Sequence, residues 1–184
     1  NPHLKKALEY FDTTLSSSID PSGAVFYPEY YRKIFTFNDL TQEGAIIGVR
    51  VEGPSNSVDH RIKRLCKELD VLNNEFSILD QEQSNIFWEK TRQLQVFTSL
   101  KGSLLRAVVP VSETFEVIQK LKNYKINYFL DWGGSLIWLQ IEEINNKMLR
   151  EIKDIIQSAT GYLTVIKIEE DMKASIDVFT VDPI

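Results

Sequence analysis

Apolar residues recur along the chain in two patterns, one at helical spacing and one in short runs bounded by turn residues. The helical spacing predicts five helices, because residues three and four apart share one face of a helix. Two of these helices cover residues 3–16 and 81–97. The other three begin after Ser55, after Ser112, and after Asn145 or Asn146. The short runs predict strands over residues 24–27, 43–52, 75–79, 104–109, 127–132, 135–141 and 162–168.

Polar and glycine residues at the ends of these segments predict how each one starts and stops. Ser55, Ser112 and one of the two asparagines are expected to cap the helices that follow them. Gly161 is expected at C′ after the last helix, and Gly133-Gly134 favours a two-residue type I′ hairpin turn. Residues 30–37 are rich in aromatics without a clear period, which indicates a loop or irregular strand.

The order of these elements indicates an α+β fold. From residue 104 the order is β-α-β-β-α-β, the ferredoxin-like arrangement. The first half, α-β-β-α-β, has the same order without its first strand, which would lie upstream of Asn1. We therefore predict duplicated ferredoxin-like halves, residues 1–80 and 103–168, that form a mostly antiparallel sheet with helices on one face. Residues 81–97 form the connector helix and residues 169–184 a C-terminal tail.

Composition and charge restrict the function. A net charge of −5 and a pI near 5.2 argue against nucleic-acid binding, which needs a basic face. No apolar run approaches the length of a membrane span, and the single cysteine, Cys66, offers neither an internal disulfide nor a metal cluster. We expect a cytoplasmic protein, and the Asn-Pro-His start without methionine suggests a piece of a longer chain.

Four segments resemble one protein family. They are Gly48-Val49-Arg50-Val51-Glu52-Gly53 followed by Val58; Phe87-Trp88-Glu89 followed by Arg92; Leu105-Arg106-Ala107-Val108-Val109-Pro110; and Leu130-Asp131-Trp132-Gly133-Gly134 followed by Trp138-Leu139. In this order they resemble the C-terminal cap or substrate domain of FAD-linked oxidases of the vanillyl-alcohol-oxidase type, most closely the FAD-binding subunit of glycolate oxidase. The resemblance covers roughly residues 7–168.

Departures from the family pattern narrow what the resemblance implies. Leu105 stands where the family has tryptophan, and Ile137 where it has arginine. The family's usual ending near the flavin is not recognisable, and the FAD-binding domain that precedes this region in the family is absent from the sequence. The resemblance therefore implies a cap domain whose FAD belongs to the parent protein and is not retained by this fragment.

The resemblance also implies partners. They are the FAD-binding domain of the parent chain, other glycolate oxidase subunits including an iron–sulfur subunit, and a small 2-hydroxy acid as substrate. The parent would be an FAD-dependent oxidoreductase in the cytoplasm, or at the inner membrane through partner subunits, and this fragment alone is expected to be inactive.

The candidate cofactor-facing or substrate-facing residues are the following: Arg106, Asp131, Trp132, Gly133, Gly134, Trp138, Trp88 and Arg92. Arg106 lies in an apolar strand and suits a substrate carboxylate or a flavin; the alternative is an ion pair with Asp131 or Glu89. Asp131 either orients Arg106 or caps its own hairpin, and Trp132 and Trp138 each either line a planar cofactor or pack in the core.

No catalytic residue is assigned. The two histidines, His3 and His60, do not suit a general base, and no metal site is expected. Arg92 and Glu89 are one helical turn apart and also fit a surface pair. Two other hypotheses stay open, namely a non-catalytic ferredoxin-like ligand-binding or assembly module and a non-functional remnant of a split gene.

Overall fold

Helices and strands follow one another through the computed structural model, which describes residues 2–35, 37, 44–70 and 76–168. The chain divides into two compact units, Asn1–Ser99 and Leu100–Ile184. In the first lie α1 (Pro2–Ser16), β1 (Gly23–Tyr27), β2 (Ile46–Arg50), α2 (Ser55–Glu68) and α3 (Gln81–Arg92). In the second lie β3 (Ser103–Val108), α4 (Val111–Leu121), β4 (Ile126–Asp131), β5 (Leu136–Ile141), α5 (Asn146–Ser158) and β6 (Tyr162–Lys167).

The second unit has the β-α-β-β-α-β order that the sequence predicts. Its four strands pair antiparallel in the order β4-β5-β3-β6, so β3 lies between β5 and β6. The first unit contains a further antiparallel pair, β1 with β2. The predicted α+β class with antiparallel strands is therefore confirmed.

Alternation along β3 separates the core of the second unit from the face that bears the candidate site. Leu105 and Ala107 are fully buried, whereas Leu104, Arg106 and Val108 are partly exposed. Successive strand residues point to opposite faces, so these two sets lie on opposite sides of the sheet. Buried helix residues complete the core: Val117, Ile118, Leu121, Ile152 and Ile156.

The end of α5 differs from the prediction for Gly161. Thr160 takes the left-handed conformation, with φ of 54°, and therefore occupies C′. The Thr160 N–H donates to the Gln157 carbonyl and the Gly161 N–H to the Ile156 carbonyl, each at 2.9 Å, which completes a Schellman motif. Gly161 is needed for space instead, since a Cβ there would lie 2.5 Å from Val109 Cγ1.

Two predicted serine caps are also wrong. Pro54 and Pro110 occupy the N-cap positions of α2 and α4, with φ of −58° and −55° and extended ψ angles. The proline ring fixes φ at values that suit this position, so each helix begins directly after its proline. Asn145 does cap α5, where its Oδ1 accepts a hydrogen bond from the Met148 N–H at 2.8 Å.

In the first unit, most of the segment expected as a loop or irregular strand, residues 30–37, forms a short helix whose neighbouring aromatic rings pack together. Glu29–Ile34 forms a 3-10 helix, in which the Tyr31 N–H donates to the Pro28 carbonyl at 3.0 Å. The ring of Tyr27 lies 4.6 Å from that of Phe35 and 6.1 Å from that of Phe87. These rings form the core beside β1.

Three more boundaries in this unit differ from the sequence prediction. The strand expected over residues 43–52 is limited to Ile46–Arg50. Phe76–Leu79, the described part of the strand expected over residues 75–79, forms no strand, and Ile78 is 57 % exposed. The connector helix ends at Arg92 instead of residue 97, because Leu94 turns left-handed with φ of 53° before a short 3-10 helix, Gln95–Phe97. The tail, residues 169–184, lies outside the described residues.

Candidate functional site

A row of four residues crosses the sheet of the second unit at the centre of the candidate site. Arg106 on β3 is in register with Trp138 on β5 and with Thr164 on β6. Trp138 is in turn in register with Phe129 on β4, and their rings lie 6.3 Å apart at an angle of 21°. Residues in register share one face, so Arg106 lies beside an aromatic pair on the side opposite Leu105 and Ala107.

The Arg106 guanidinium is held by two indoles. Its Cζ lies 5.1 Å from the ring centroid of Trp132 and 6.0 Å from that of Trp138. Each such contact stabilises a cation by roughly 0.5–2 kcal/mol. Arg106 Nε is buried and has no hydrogen-bond partner, and within the described part of the chain no carboxylate forms an ion pair with this side chain. Among the described residues, the guanidinium is therefore positioned by aromatic rings and not by an ion pair.

The turn between β4 and β5 holds Trp132 over Arg106. Asp131 pairs with Leu136, so four residues connect the strands instead of the two expected for a type I′ turn. Trp132, Gly133 and Gly134 have φ of 50°, 63° and 98°. Glycine adopts such angles freely, whereas tryptophan adopts them at a cost of roughly 1–3 kcal/mol. The Trp132 side chain is nevertheless 57 % exposed, so the turn orients it without burying it.

Asp131 and Thr114 each form a hydrogen bond to this turn. Asp131 Oδ1 accepts from the Trp132 N–H at 2.7 Å, which agrees with the local role considered for Asp131. The hydroxyl of Thr114, fully buried on α4, donates to the Gly134 carbonyl at 2.7 Å. Thr114 was not among the predicted residues, because its contact with the turn depends on how α4 packs.

Asp131 lies half-buried at the rim of the same face. Burial raises the pKa of its carboxyl above the ordinary value, and the Trp132 N–H and the Arg106 charge offset this only in part. Desolvation penalises the ionised form of a carboxyl, so Asp131 gains more than a fully exposed aspartate from a hydrogen-bond donor.

Ile137 stands where the family that the sequence resembles has arginine, and it lies in the core. It is fully buried, in register with Ala107 and Leu130 on the core side of the sheet. An arginine there would need a partner for its charge within an apolar layer. Trp138, the next residue, faces the other side and belongs to the site.

Trp88 and Arg92, the other two predicted site residues, lie in the first unit on α3. They line a groove of about 580 Å³ together with Arg50 and Glu89. The Arg50 guanidinium lies 5.9 Å from the Trp88 ring centroid and forms an ion pair with Glu52 at 2.9 Å. Arg50 is not among the predicted site residues, although it lies in the first of the four segments that carry the family resemblance.

Both side chains from the prediction have structural contacts in this groove. Arg92 donates two hydrogen bonds to Glu89, at 2.9 and 2.6 Å, and these lower the pKa of the Glu89 carboxyl. Trp88 packs so closely on β1 that a Cβ at Gly23 would lie 2.9 Å from its Cη2 atom. The surface pair considered for Arg92 is therefore present, and Trp88 packs within its own unit.

The described residues hold no group of three or more His, Cys, Asp or Glu side chains placed to bind a metal ion. Among them, no helix is both long and apolar enough to cross a membrane. No protein-family model matches the sequence, and no curated protein matches it.

Proposed function

We propose that the chain is the C-terminal cap domain of an FAD-dependent 2-hydroxy acid oxidase or dehydrogenase, of the type found in the FAD-binding subunit of glycolate oxidase. In the parent protein, FAD is bound mainly by a separate domain, and electrons pass to an iron–sulfur subunit. The protein acts in the cytoplasm or at the inner membrane through partner subunits. The cap positions the substrate carboxylate, while the flavin, when bound, accepts the hydride from the hydroxy acid.

The observation that carries this proposal is the Arg106 guanidinium, which lies beside two indoles and forms no ion pair with any described carboxylate. A guanidinium presents paired N–H donors that match the two oxygens of a carboxylate. The described carboxylates form no ion pair with this guanidinium, and its Cζ lies 5.1 and 6.0 Å from the centroids of the two indoles. A small anion can therefore form charge-assisted hydrogen bonds here without first displacing an internal partner.

Trp132 and Trp138 suit the flavin ring of FAD but not its diphosphate. The exposed Trp132 ring and the half-buried Trp138 ring provide flat apolar surface for the edge of a flavin ring. The described residues offer no glycine-rich phosphate loop for the diphosphate. This division supports a cap that contacts the flavin ring and leaves the nucleotide portion to another domain.

The test is a titration of the purified chain with glycolate, followed through the indole N–H resonances of its three tryptophans. Binding at Arg106 should shift the Trp132 and Trp138 resonances in a saturable way and leave Trp88 unchanged. Arg106→Gln should weaken this binding about tenfold or more, so that the shifts saturate only at correspondingly higher glycolate concentrations. Arg150→Gln, on an exposed part of α5, is the matched control and should leave them intact.

A second measurement tests whether FAD binding and glycolate oxidation need a domain other than the cap. We expect the purified chain to contain no stoichiometric FAD and to show no turnover of glycolate. An FAD-loaded chain that oxidises glycolate would contradict the cap assignment.

A further inference from the structure

We infer that Asp131 selects a 2-hydroxy acid by accepting a hydrogen bond from its C2 hydroxyl while Arg106 binds its carboxylate. This inference rests on the proposed function, because it assigns the second polar group of the same site. It makes Asp131 a specificity-determining residue that distinguishes substrate from product.

Strand register places the two groups on one face. Asp131 is in register with Leu136, and Leu136 with Val108, which lies two residues beyond Arg106 on β3. Residues two apart on a strand share a face, so Asp131 and Arg106 point to the same side and lie diagonally across β5. Leu136 between them is 2 % exposed and forms an apolar floor.

The hydrogen bonds within the site leave room for a ligand between the two groups. Asp131 Oδ1 accepts from the Trp132 N–H, and the carboxylate is not in an ion pair with Arg106. A carboxylate oxygen has more than one lone pair, so Asp131 can accept a further donor. A molecule with an anionic group and a neighbouring hydroxyl group matches a cation on one side and an acceptor on the other.

The chemistry of Asp131 favours the substrate over its oxidation product. The hydroxyl of a 2-hydroxy acid donates to an ionised carboxylate. The carbonyl of the corresponding 2-oxo acid offers only lone pairs, so acceptor faces acceptor and both stay unsatisfied. Asp131 therefore strengthens binding before oxidation and weakens it afterwards, which assists product release.

Three ligands with the same carbon skeleton separate these contributions at neutral pH. Lactate, as each enantiomer, carries the hydroxyl; propionate lacks it; pyruvate carries the carbonyl. We expect the better lactate enantiomer to bind about tenfold more tightly than propionate, as expected for one hydrogen bond to a charged group. Pyruvate should bind more weakly than propionate.

Asp131→Asn tests the residue itself. The asparagine Oδ1 can keep the Trp132 N–H bond and turn the amide NH₂ toward the ligand. The advantage of lactate over propionate should fall to about twofold, and pyruvate should gain affinity, because it now meets a donor. Asp154→Asn, at an exposed position of α5, should leave the order of the three ligands unchanged.

The outcomes separate this inference from the function on which it rests. If lactate, propionate and pyruvate bind the unaltered chain equally at the Trp132 and Trp138 resonances, Asp131 has no selective role, although Arg106 still binds carboxylates. If none of the three binds, both proposals fail. An Asp131→Asn variant that loses affinity for all three ligands by the same factor would show a merely structural role. The ranking on the unaltered chain decides the matter even if that variant fails to fold.

Discussion

Each unit places an arginine against a tryptophan, yet the two pairs differ in what the arginine contacts. Arg50 lies over Trp88 and forms an ion pair with Glu52, two residues along the chain. Arg106 lies over Trp132 and Trp138 and, among the described residues, forms no ion pair. The same cation–π contact therefore accompanies a satisfied guanidinium in the first unit and an available one in the second.

The two sets of tryptophans differ in a parallel way. Trp88 is packed against Gly23 and next to the ring of Phe87, at 5.2 Å. Trp132 stands 57 % exposed on a turn with an unfavourable backbone angle. A strained and exposed aromatic beside a cation that has no ion pair among the described residues indicates a binding surface more strongly than a packed aromatic beside an ion pair.

The largest expected effect is on carboxylate affinity. Arg106→Gln removes the charged donor and should weaken lactate binding about tenfold or more. Arg50→Gln, the equivalent change in the first unit, should change it less than about twofold, since Arg50 already has a carboxylate partner. Titration of both variants with lactate, followed through the indole resonances, measures the two affinities. Equal losses of affinity would contradict the difference between the two arginines.

The tryptophans should differ most in stability. Trp88→Ala should lower the free energy of unfolding by roughly 2–4 kcal/mol, because it opens a void beside Phe87 and Gly23. Trp132→Ala should cost less than about 1 kcal/mol, since the ring that it removes is 57 % exposed. Urea unfolding of the two variants provides the measurement. A larger loss for Trp132 would show that its ring supports the fold.

Thr114 links the turn to α4 and gives a smaller effect. Thr114→Val removes the donor to the Gly134 carbonyl and should cost about 1–2 kcal/mol. It should also move the Trp132 indole resonance, because the turn loses one of the hydrogen bonds that hold it. Ser112→Ala, an exposed change on the same helix, should cost less than about 0.5 kcal/mol and leave that resonance in place.

The smallest effects concern pH, and they have opposite signs in the two units. Burial raises the pKa of Asp131 in the folded state, so the folded chain still binds this proton at pH values where the unfolded chain has released it. The free energy of unfolding therefore decreases as pH rises from 3.8 through the raised pKa. Hydrogen bonds from Arg92 lower the pKa of Glu89, so its contribution is present above 4.5 and is lost as pH falls through the lowered value. Asp131→Asn and Glu89→Gln should change the pH dependence of stability in opposite directions. Urea unfolding across the acidic range measures this, and a shared sign would contradict the account.

The element order of the second unit was predictable because its apolar periods are clear and its strands are bounded by turn residues. The helix caps were harder to predict, because a serine that follows a proline resembles an N-cap in sequence. Pro54 and Pro110 have a fixed φ that suits the N-cap position, so each helix begins one or two residues earlier than predicted. The left-handed Leu94 has no sequence signal, since leucine favours helices, and it shortens the connector helix.

The candidate site shows the same division. A charged residue in an apolar strand and a Trp-Gly-Gly turn marked Arg106 and Trp132 as unusual. Their contact depends on strand register and on three successive positive φ angles, which sequence patterns do not specify. Thr114 and Arg50 were missed because each acts through packing with a distant segment of its own unit.

A crystal structure of the chain with glycolate tests the central claim most directly. We expect the glycolate carboxylate on the Arg106 guanidinium, with N–H···O distances of about 2.7–2.9 Å, beside the rings of Trp132 and Trp138. Glycolate bound instead in the groove of Arg50 and Trp88, with the Arg106 face empty, would contradict it.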